Sequence, residues 1–196
     1  NCSQVFRYAV ATRRAERDPT VDLKGALPPV VRTHFAAITD PKAVGAMLRK
    51  LETYKGHFVT RSALMLAPLL FVRPGELRAA EWADIDLEAG EWRYLVSKTK
   101  TQHVVPLARQ AVEVLRELQA LTGGGRYVFP GTRTSTKPMS EAAISAALKR
   151  LGIPNTEMNP HGFRAMARTI LDEVLGVRPD YIEHQLAHAV RDPNGR

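Results

Sequence analysis

Along most of the chain, apolar residues recur at every third or fourth position, the pattern of helices that bury one face. In the first segment an apolar stripe that includes Phe6 and Val10 predicts a helix from Cys2 to about Arg17, which Pro19 stops. The helical pattern resumes at Asp40. The further predicted helices cover residues 41–54, 60–71, 74–82, 108–122, 140–151 (with Ser140 as its N-cap), 160–176 and 179–188.

The period changes in the middle of the chain. Residues 91–96 and 103–107 are short strand-like runs, with a turn at residues 89–90 before the first of them. Residues 82–87 are a candidate for a third strand. The sequence therefore predicts a mainly α protein with one small antiparallel β-sheet, an α+β class.

The segment between the first helix and Asp40 has little periodicity. Residues 19–40 contain Pro19, Gly25, Pro28 and Pro29, a composition typical of a linker. A helix followed by a linker suggests the tail of a preceding domain. We therefore interpret residues 1–18 as the last helix of such a domain and residues 41–196 as the main domain.

Composition narrows the class of partner. The 196 residues carry 28 Lys and Arg against 20 Asp and Glu, a formal charge of +8, which favours a polyanionic partner. The single cysteine, Cys2, excludes an internal disulfide framework and a multi-cysteine zinc finger, and favours a reducing, cytoplasmic compartment. The longest apolar run, residues 63–72, is roughly half of what a bilayer-spanning helix needs.

Two predicted helix starts carry residues suited to an anion. Arg73 lies at the entrance of a helix that Pro74 opens, with Glu76 in the first turn. His161 and Arg164 are three residues apart, on one face of the first turn of a later helix. An imidazole beside a planar guanidinium, near free backbone N–H groups, suits a phosphate.

Lys98 lies between the two predicted strands, where a hairpin tip can reach outward into a groove. Two other patterns do not fit their usual chemistry. His184 and His188 have zinc-ligand spacing, but Gln185 stands where a metalloprotease needs its glutamate. Residues 131–137 lack the second glycine of a phosphate-binding loop. The sequence has no dense cluster of carboxylates, which argues against a two-metal nuclease.

Taken in order, four segments resemble the catalytic domain of a tyrosine recombinase of the prophage integrase type. The resemblance covers roughly residues 40–196, and residues 1–18 look like the last helix of the family's core-binding domain. It implies the catalytic-domain fold of the DNA breaking-rejoining enzymes. The matching segments are Arg73-Pro74-Gly75-Glu76-Leu77, Lys98 ahead of Val105-Pro106-Leu107, His161-Gly162-Phe163-Arg164, and Gln185-Leu186-Ala187-His188.

The resemblance also implies an activity. The family integrates and excises prophages or genomic islands by transesterification through a 3′-phosphotyrosine, without metal or cofactor. Its partners would be double-stranded attachment-site DNA and three further copies of the full-length protein, in the bacterial cytoplasm at the nucleoid. The implied roles are transition-state stabilisation by Arg73 and Arg164, general acid catalysis by Lys98, acid/base catalysis by His161, a phosphate hydrogen bond from His188, and support by Glu76.

The family's nucleophilic tyrosine lies just beyond the position matching His188, and on this resemblance it would follow Arg196. We therefore expect the chain, as given, to be monomeric, to bind DNA weakly and not to cleave it. One alternative is a non-catalytic DNA-binding module that retains the fold. Another is a relative of type IB topoisomerases, which share the pocket.

Overall fold

The computed structural model describes residues 2–26 and 35–188. The chain divides into two compact units, residues 1–34 and 35–196. No helix of the described segments is long and apolar enough to cross a membrane.

The first unit contains a helix, α1 (Cys2–Ala11), and a 3-10 helix (Pro19–Leu23). α1 ends about six residues before the predicted boundary at Arg17, because Arg13 adopts a left-handed backbone conformation (φ 59°). The prediction that this helix continues from Ala11 to about Arg17 is therefore wrong. Asp18 caps the 3-10 helix by accepting from the backbone N–H of Thr20 at 2.9 Å. In the rest of the predicted linker, as far as it is described, residues 24–26 form a turn and residues 35–39 have no regular secondary structure.

The second unit is mainly helical. Asp40 caps its first helix as predicted, accepting from the backbone N–H of Ala43 at 2.8 Å, and Pro41 occupies the first helical position. The helices are α2 (Pro41–Glu52), α3 (Phe58–Leu70), α4 (Pro74–Arg78), α5 (Arg109–Thr122), α6 (Ala143–Arg150), α7 (Gly162–Thr169) and α8 (Pro179–Gln185).

The sheet has three antiparallel strands in the order β1 (Ile85–Asp86), β2 (Glu91–Leu95) and β3 (Gln102–Pro106). Trp92 lies opposite Val105 and Tyr94 opposite His103, so these four side chains share the buried face. The candidate third strand is shorter than expected, because residues 82–84 form a 3-10 helix ahead of β1.

The core is organised around α3. Its apolar residues are distributed around the whole helix, which is typical of an interior helix, and Leu64 and Leu66 are completely buried. α3 contacts α2, α4, α5, α6 and α7. Since α3 ends at Leu70 and Arg73 is the N-cap residue of α4, this buried helix leads directly into the predicted site.

Four further boundaries differ from the predictions. The helix predicted over residues 74–82 is α4, which ends at Arg78. Ser140 is not an N-cap, because α6 starts later and Ala142 occupies the cap position. The predicted helix over residues 160–176 is α7 followed by a π-helix (Ile170–Val174). α8 ends at Gln185 rather than His188, because the chain reverses at Ala187 (φ 51°).

Candidate active site

Arg73 lies at the junction of α3 and α4, where it is the N-cap residue of α4. Its side chain is partly buried. Nη2 donates a long hydrogen bond of 3.4 Å to the carbonyl oxygen of Ala187. Nη1 is buried and has no hydrogen-bond partner among the described residues. A buried N–H without an acceptor costs free energy, about 1–3 kcal/mol in typical proteins, and an incoming acceptor would remove that cost.

Arg164, in the first turn of α7, connects two chain reversals. Nη1 donates to the carbonyl oxygen of Phe71 at 2.7 Å, and Nη2 donates to that of Leu186 at 2.6 Å. Phe71 has a left-handed backbone (φ 56°) that turns its carbonyl away from α3. Arg164 is therefore held by main-chain oxygens at the ends of α3 and α8, a rigid arrangement that matches the fork of a guanidinium.

The two guanidinium groups repel each other. Burial, and next to it the charge of Arg73, lowers the pKa of Arg164 below its usual value. Within residues 2–26 and 35–188 neither arginine forms a salt bridge with a carboxylate. Two neighbouring cations bound mainly to carbonyl oxygens form a site that an anion would stabilise.

His188 completes this arrangement from the end of α8. Its Nε2 lies 3.0 Å from Arg164 Nη2, and its Nδ1 lies 2.5 Å from Glu183 Oε2. Arg168 Nε donates to the other oxygen of Glu183 at 2.9 Å. The hydrogen bonds from His188 and Arg168 lower the pKa of Glu183, so this carboxylate is ionised near neutral pH.

His161 precedes α7, where the Asn159 side chain accepts the backbone N–H groups of His161 (2.8 Å) and Gly162 (3.1 Å). Its ring stacks on Phe35, with 4.6 Å between ring centroids. Gly162 permits this approach, because a Cβ there would collide with the carbonyl oxygen of Ala36. Burial first, then the charges of the two arginines, lowers the pKa of His161, so its imidazole is neutral near pH 7.

Glu76 and Lys98 lie where α4 meets the turn between β2 and β3. Glu76 Oε1 accepts from the backbone N–H of Ser97 at 3.1 Å and from its hydroxyl at 2.8 Å, which ties the start of the β2–β3 turn to α4. Lys98, the next residue, is exposed, and its ammonium makes no hydrogen bond or ion pair with any described residue.

An open cleft of about 500 Å³ adjoins these residues. Of the predicted site residues, Arg73, Glu76 and His161 line it, whereas Lys98, Arg164 and His188 do not. The structure thus brings Arg73, Arg164 and His188 together around the end of α8, and places His161 within electrostatic reach of both arginines. In the described part of the chain, the hydrogen bonds that position Lys98 are those of its neighbour Ser97 to Glu76.

Two buried aromatic residues of the sheet lie close to this centre, and neither was a sequence candidate. Burial and the charge of Glu76 raise the pKa of Tyr94 to about 12, so Tyr94 is a poor nucleophile. His103 Nε2 contacts the carbonyl oxygen of Gln185 at 3.3 Å, and burial lowers the pKa of His103. Tyr181 is exposed beside Arg178. The predicted position of the nucleophile lies outside the described residues.

Comparisons with known proteins bear on the identity of the chain. Residues 38–191 match the phage integrase family. The integrase of Enterobacteria phage P4 is 36% identical over 203 residues, which cover 96% of this chain and 46% of that protein. The chain belongs to the phage integrase family. The resemblance to tyrosine recombinases is therefore confirmed. Another relative of this integrase chain, prophage integrase IntZ of Escherichia coli (strain K12), is 37% identical over 194 residues, 98% of this chain and 47% of the relative.

Solved integrase structures share the fold of this integrase chain. A lambda integrase dimer bound to a COC′ core site aligns with a TM-score of 0.65 at 21% identity, over 100% of this chain and 58% of that chain. The lambda integrase catalytic core aligns with a TM-score of 0.57 at 20% identity, over 82% of this chain and 95% of that chain. The predicted fold class is confirmed. The chain spans about half the length of the curated relatives it matches.

Proposed function

We propose that residues 41–196 form the catalytic domain of a site-specific DNA recombinase that integrates or excises a prophage or genomic island. The observation that carries the proposal is the pair Arg73 and Arg164, two neighbouring guanidinium groups without a salt bridge to any described carboxylate. The buried Nη1 of Arg73, which has no partner in the described part of the chain, supports an anionic ligand between them. A backbone phosphate of DNA fits that chemistry.

The reaction is a transesterification. A tyrosine oxygen attacks the scissile phosphorus, the Tyr–O–P bond forms, and the bond from phosphorus to the 5′ oxygen breaks. The transition state carries extra negative charge on the non-bridging oxygens, and Arg73 and Arg164 stabilise that charge with directed N–H groups. The tyrosine would be supplied beyond the described residues, in the segment that follows His188.

Protons are moved by the remaining groups. His161, neutral near pH 7 because its pKa is lowered, accepts the proton of the tyrosine. Lys98 donates a proton to the departing 5′ oxygen, and His188 donates a hydrogen bond to the phosphate. Glu76 positions the Lys98 turn through Ser97. In the rejoining step, a 5′ hydroxyl attacks the phosphorus of the phosphotyrosine, the bond from phosphorus to the 5′ oxygen forms, and the bond from phosphorus to the tyrosine oxygen breaks. The 5′ hydroxyl gives its proton to Lys98, and His161 returns its proton to the tyrosine.

The remaining assignments concern domains and partners. Residues 1–18 would be the last helix of a core-binding domain and residues 19–40 its linker to the catalytic domain. The partners would be double-stranded attachment-site DNA and three further protomers, in the bacterial cytoplasm at the nucleoid. Solved lambda integrase structures, which share the fold, include a dimer on a core site and a tetramer on a Holliday junction. The chain alone would be a monomer.

The test is covalent capture. A protein extended beyond Arg196 to the length of its relatives is mixed with a nicked attachment-site duplex, and the protein–DNA adduct is counted on a denaturing gel. We expect an adduct with the extended protein and none with Arg73→Ala or with the 196-residue chain. Arg116→Ala, an exposed arginine paired with Glu88, is the matched control and should keep full activity. DNA binding without any adduct would instead favour the non-catalytic module.

A further inference from the structure

We propose that Glu183 is a positioning residue for His188: its carboxylate fixes the tautomer that carries the proton on Nδ1 and so directs Nε2 towards Arg164 and the phosphate site. The inference rests on the function proposed above for its catalytic consequence. The tautomer itself can be measured without any DNA cleavage.

The hydrogen-bond chain determines the tautomer. A guanidinium has only donors, so His188 Nε2, 3.0 Å from Arg164 Nη2, must accept through its lone pair. The proton of a neutral ring is then on Nδ1, which donates to Glu183 Oε2 at 2.5 Å. Both contacts require the same arrangement, because a guanidinium can only donate to Nε2 and an ionised carboxylate can only accept from Nδ1.

The backbone brings the two side chains together although they are five residues apart. The N–H of His188 donates to the carbonyl oxygen of Glu183 at 2.9 Å, and the N–H of Ala187 donates to that of His184 at 2.9 Å. With Ala187 in the left-handed region (φ 51°), these two bonds form a Schellman motif. The motif folds the chain back over the last turn of α8, so the imidazole lies beside the carboxylate.

Glu183 is itself oriented. Arg168 Nε donates to Oε1 at 2.9 Å, which leaves Oε2 for the imidazole. The pKa of Glu183 is lowered by both neighbours, so the carboxylate remains an acceptor throughout the neutral range. A relay therefore runs from Arg168 on α7, through Glu183 on α8, to His188 and back to Arg164 on α7.

The relay has a role in phosphate binding. When a phosphate oxygen takes over the Arg164 N–H, His188 Nε2 takes up a proton from solvent and donates it to the phosphate, while the Nδ1 proton stays on its hydrogen bond to Glu183. Glu183 keeps the Nδ1 proton occupied in both situations, so the ring does not rotate or change tautomer between them. Positioning of this kind lowers the cost of reaching the transition state without adding a contact to the substrate.

The first experiment reads the tautomer in the 196-residue chain. Histidine is labelled with ¹⁵N, and the His188 resonances are assigned from their loss in His188→Asn. We expect the Nδ1–H form of His188 in the unaltered chain and a shift towards Nε2–H, with rotation of the ring, in Glu183→Ala. Glu183→Gln has one acceptor oxygen where the carboxylate has two, and Arg168 Nε competes for it. Nδ1–H should therefore be retained in the double variant Glu183→Gln/Arg168→Ala, in which the amide oxygen is left for the imidazole. Nε2–H in the unaltered chain, or Nδ1–H unchanged in Glu183→Ala, would overturn the proposal.

The second experiment measures the consequence in the extended protein. We expect Glu183→Ala to slow adduct formation about 10-fold to 100-fold, the range known for groups that orient metal-bound histidines, with unchanged affinity for DNA. The double variant Glu183→Gln/Arg168→Ala should recover most of that rate, because its amide oxygen can accept from His188 Nδ1 without competition. Asp180→Ala removes another carboxylate of α8, which pairs with Arg178 and does not contact His188, and should leave the rate unchanged.

The outcomes separate the two proposals. An unaltered extended protein that forms no adduct would contradict the proposed function and leave the tautomer measurement valid. A normal adduct with a normal rate in Glu183→Ala would contradict the role of Glu183 and leave the proposed function standing. An equal loss in Asp180→Ala would assign the effect to the general stability of α8 and overturn the positioning role.

Discussion

Two turns carry the outermost residues of the site, and they are held very differently. The turn over residues 186–188 is closed by two main-chain bonds, and Arg164 and Glu183 hold it through side-chain contacts. The β2–β3 turn over residues 97–100 is closed by the Val96–Thr101 pair, and among the described residues the Ser97–Glu76 contact is the one hydrogen-bonded tie from it to α4. The part of the site that binds charge is therefore built into the fold, whereas the part that carries Lys98 is not.

The contrast has a functional meaning under the proposed mechanism. Electrostatic stabilisation works best when the donors are already oriented and need no reorganisation during the reaction. A proton donor must instead reach a leaving oxygen whose place is defined by the bound DNA. We therefore expect changes at the first turn to damage the charge-binding centre itself, and changes at the second turn to affect only proton delivery.

The largest effect is expected from Arg164→Lys. A lysine cannot donate to Phe71 O, Leu186 O and a phosphate in one plane, so the fixed geometry is lost even though the charge remains. Adduct formation by the extended protein should fall about 100-fold to 1000-fold, as when an oxyanion donor is removed. Single-turnover capture measures the rate, and Arg116→Lys is the control. A rate near that of the unaltered protein would mean that Arg164 contributes charge without geometry.

Lys98→Met is expected to cost about 100-fold in rate, the lower end for a general acid. Thermal stability should not change, because the side chain is exposed and its ammonium makes no hydrogen bond or ion pair with any described residue. A substrate with a 5′ thiol leaving group needs no proton and should restore the rate. Lys100→Met, at an exposed position in the same turn, is the matched control. An equal loss on both substrates would remove the acid role from Lys98.

The smallest effect concerns pH and the turn at residues 186–188. His103 lies beneath it, bonded to Gln185 O, and has a lowered pKa because it is buried. The unfolded chain binds the proton at about pH 6.5 and the folded chain only at lower pH, so stability is complete above that value and declines as pH falls through the folded pKa. His161 contributes with the same sign.

Urea unfolding between pH 7.5 and 5 tests this assignment. His103→Asn should flatten the decline in stability on acidification, and the double variant with His161→Asn should flatten it further. A decline of unchanged steepness in both variants would show that other groups bind the protons.

The sequence predicted where most helices lie, but it did not predict where several of them begin or end. Periodicity located α2 and α3 to within about two residues, because their apolar faces are continuous. It overextended α1, since nothing in a polar run reveals that Arg13 turns left-handed, and it placed a cap at Ser140 because the preference for serine there is only statistical.

The site divides in the same way. Arg73, His161 and Arg164 could be predicted as site residues from the sequence, because each lies at a helix start that a nearby proline or asparagine indicates. Glu183 and Phe35 could not, because their contacts depend on tertiary structure. Glu183 meets its partner through the turn at Ala187, and Phe35 reaches its partner where the backbone at Ala36 passes close to Gly162.

The left-handed residue Ala187 has a consequence for the whole centre. Arg164 and Arg73 both donate to carbonyl oxygens of this one reversal, those of Leu186 and Ala187. Straightening the backbone there would remove an acceptor from each arginine in a single movement. The imidazole of His188, the next residue, would move away together with those two carbonyl groups. A force on the polypeptide just past His188 would therefore displace the hydrogen-bond acceptors of both arginines at once.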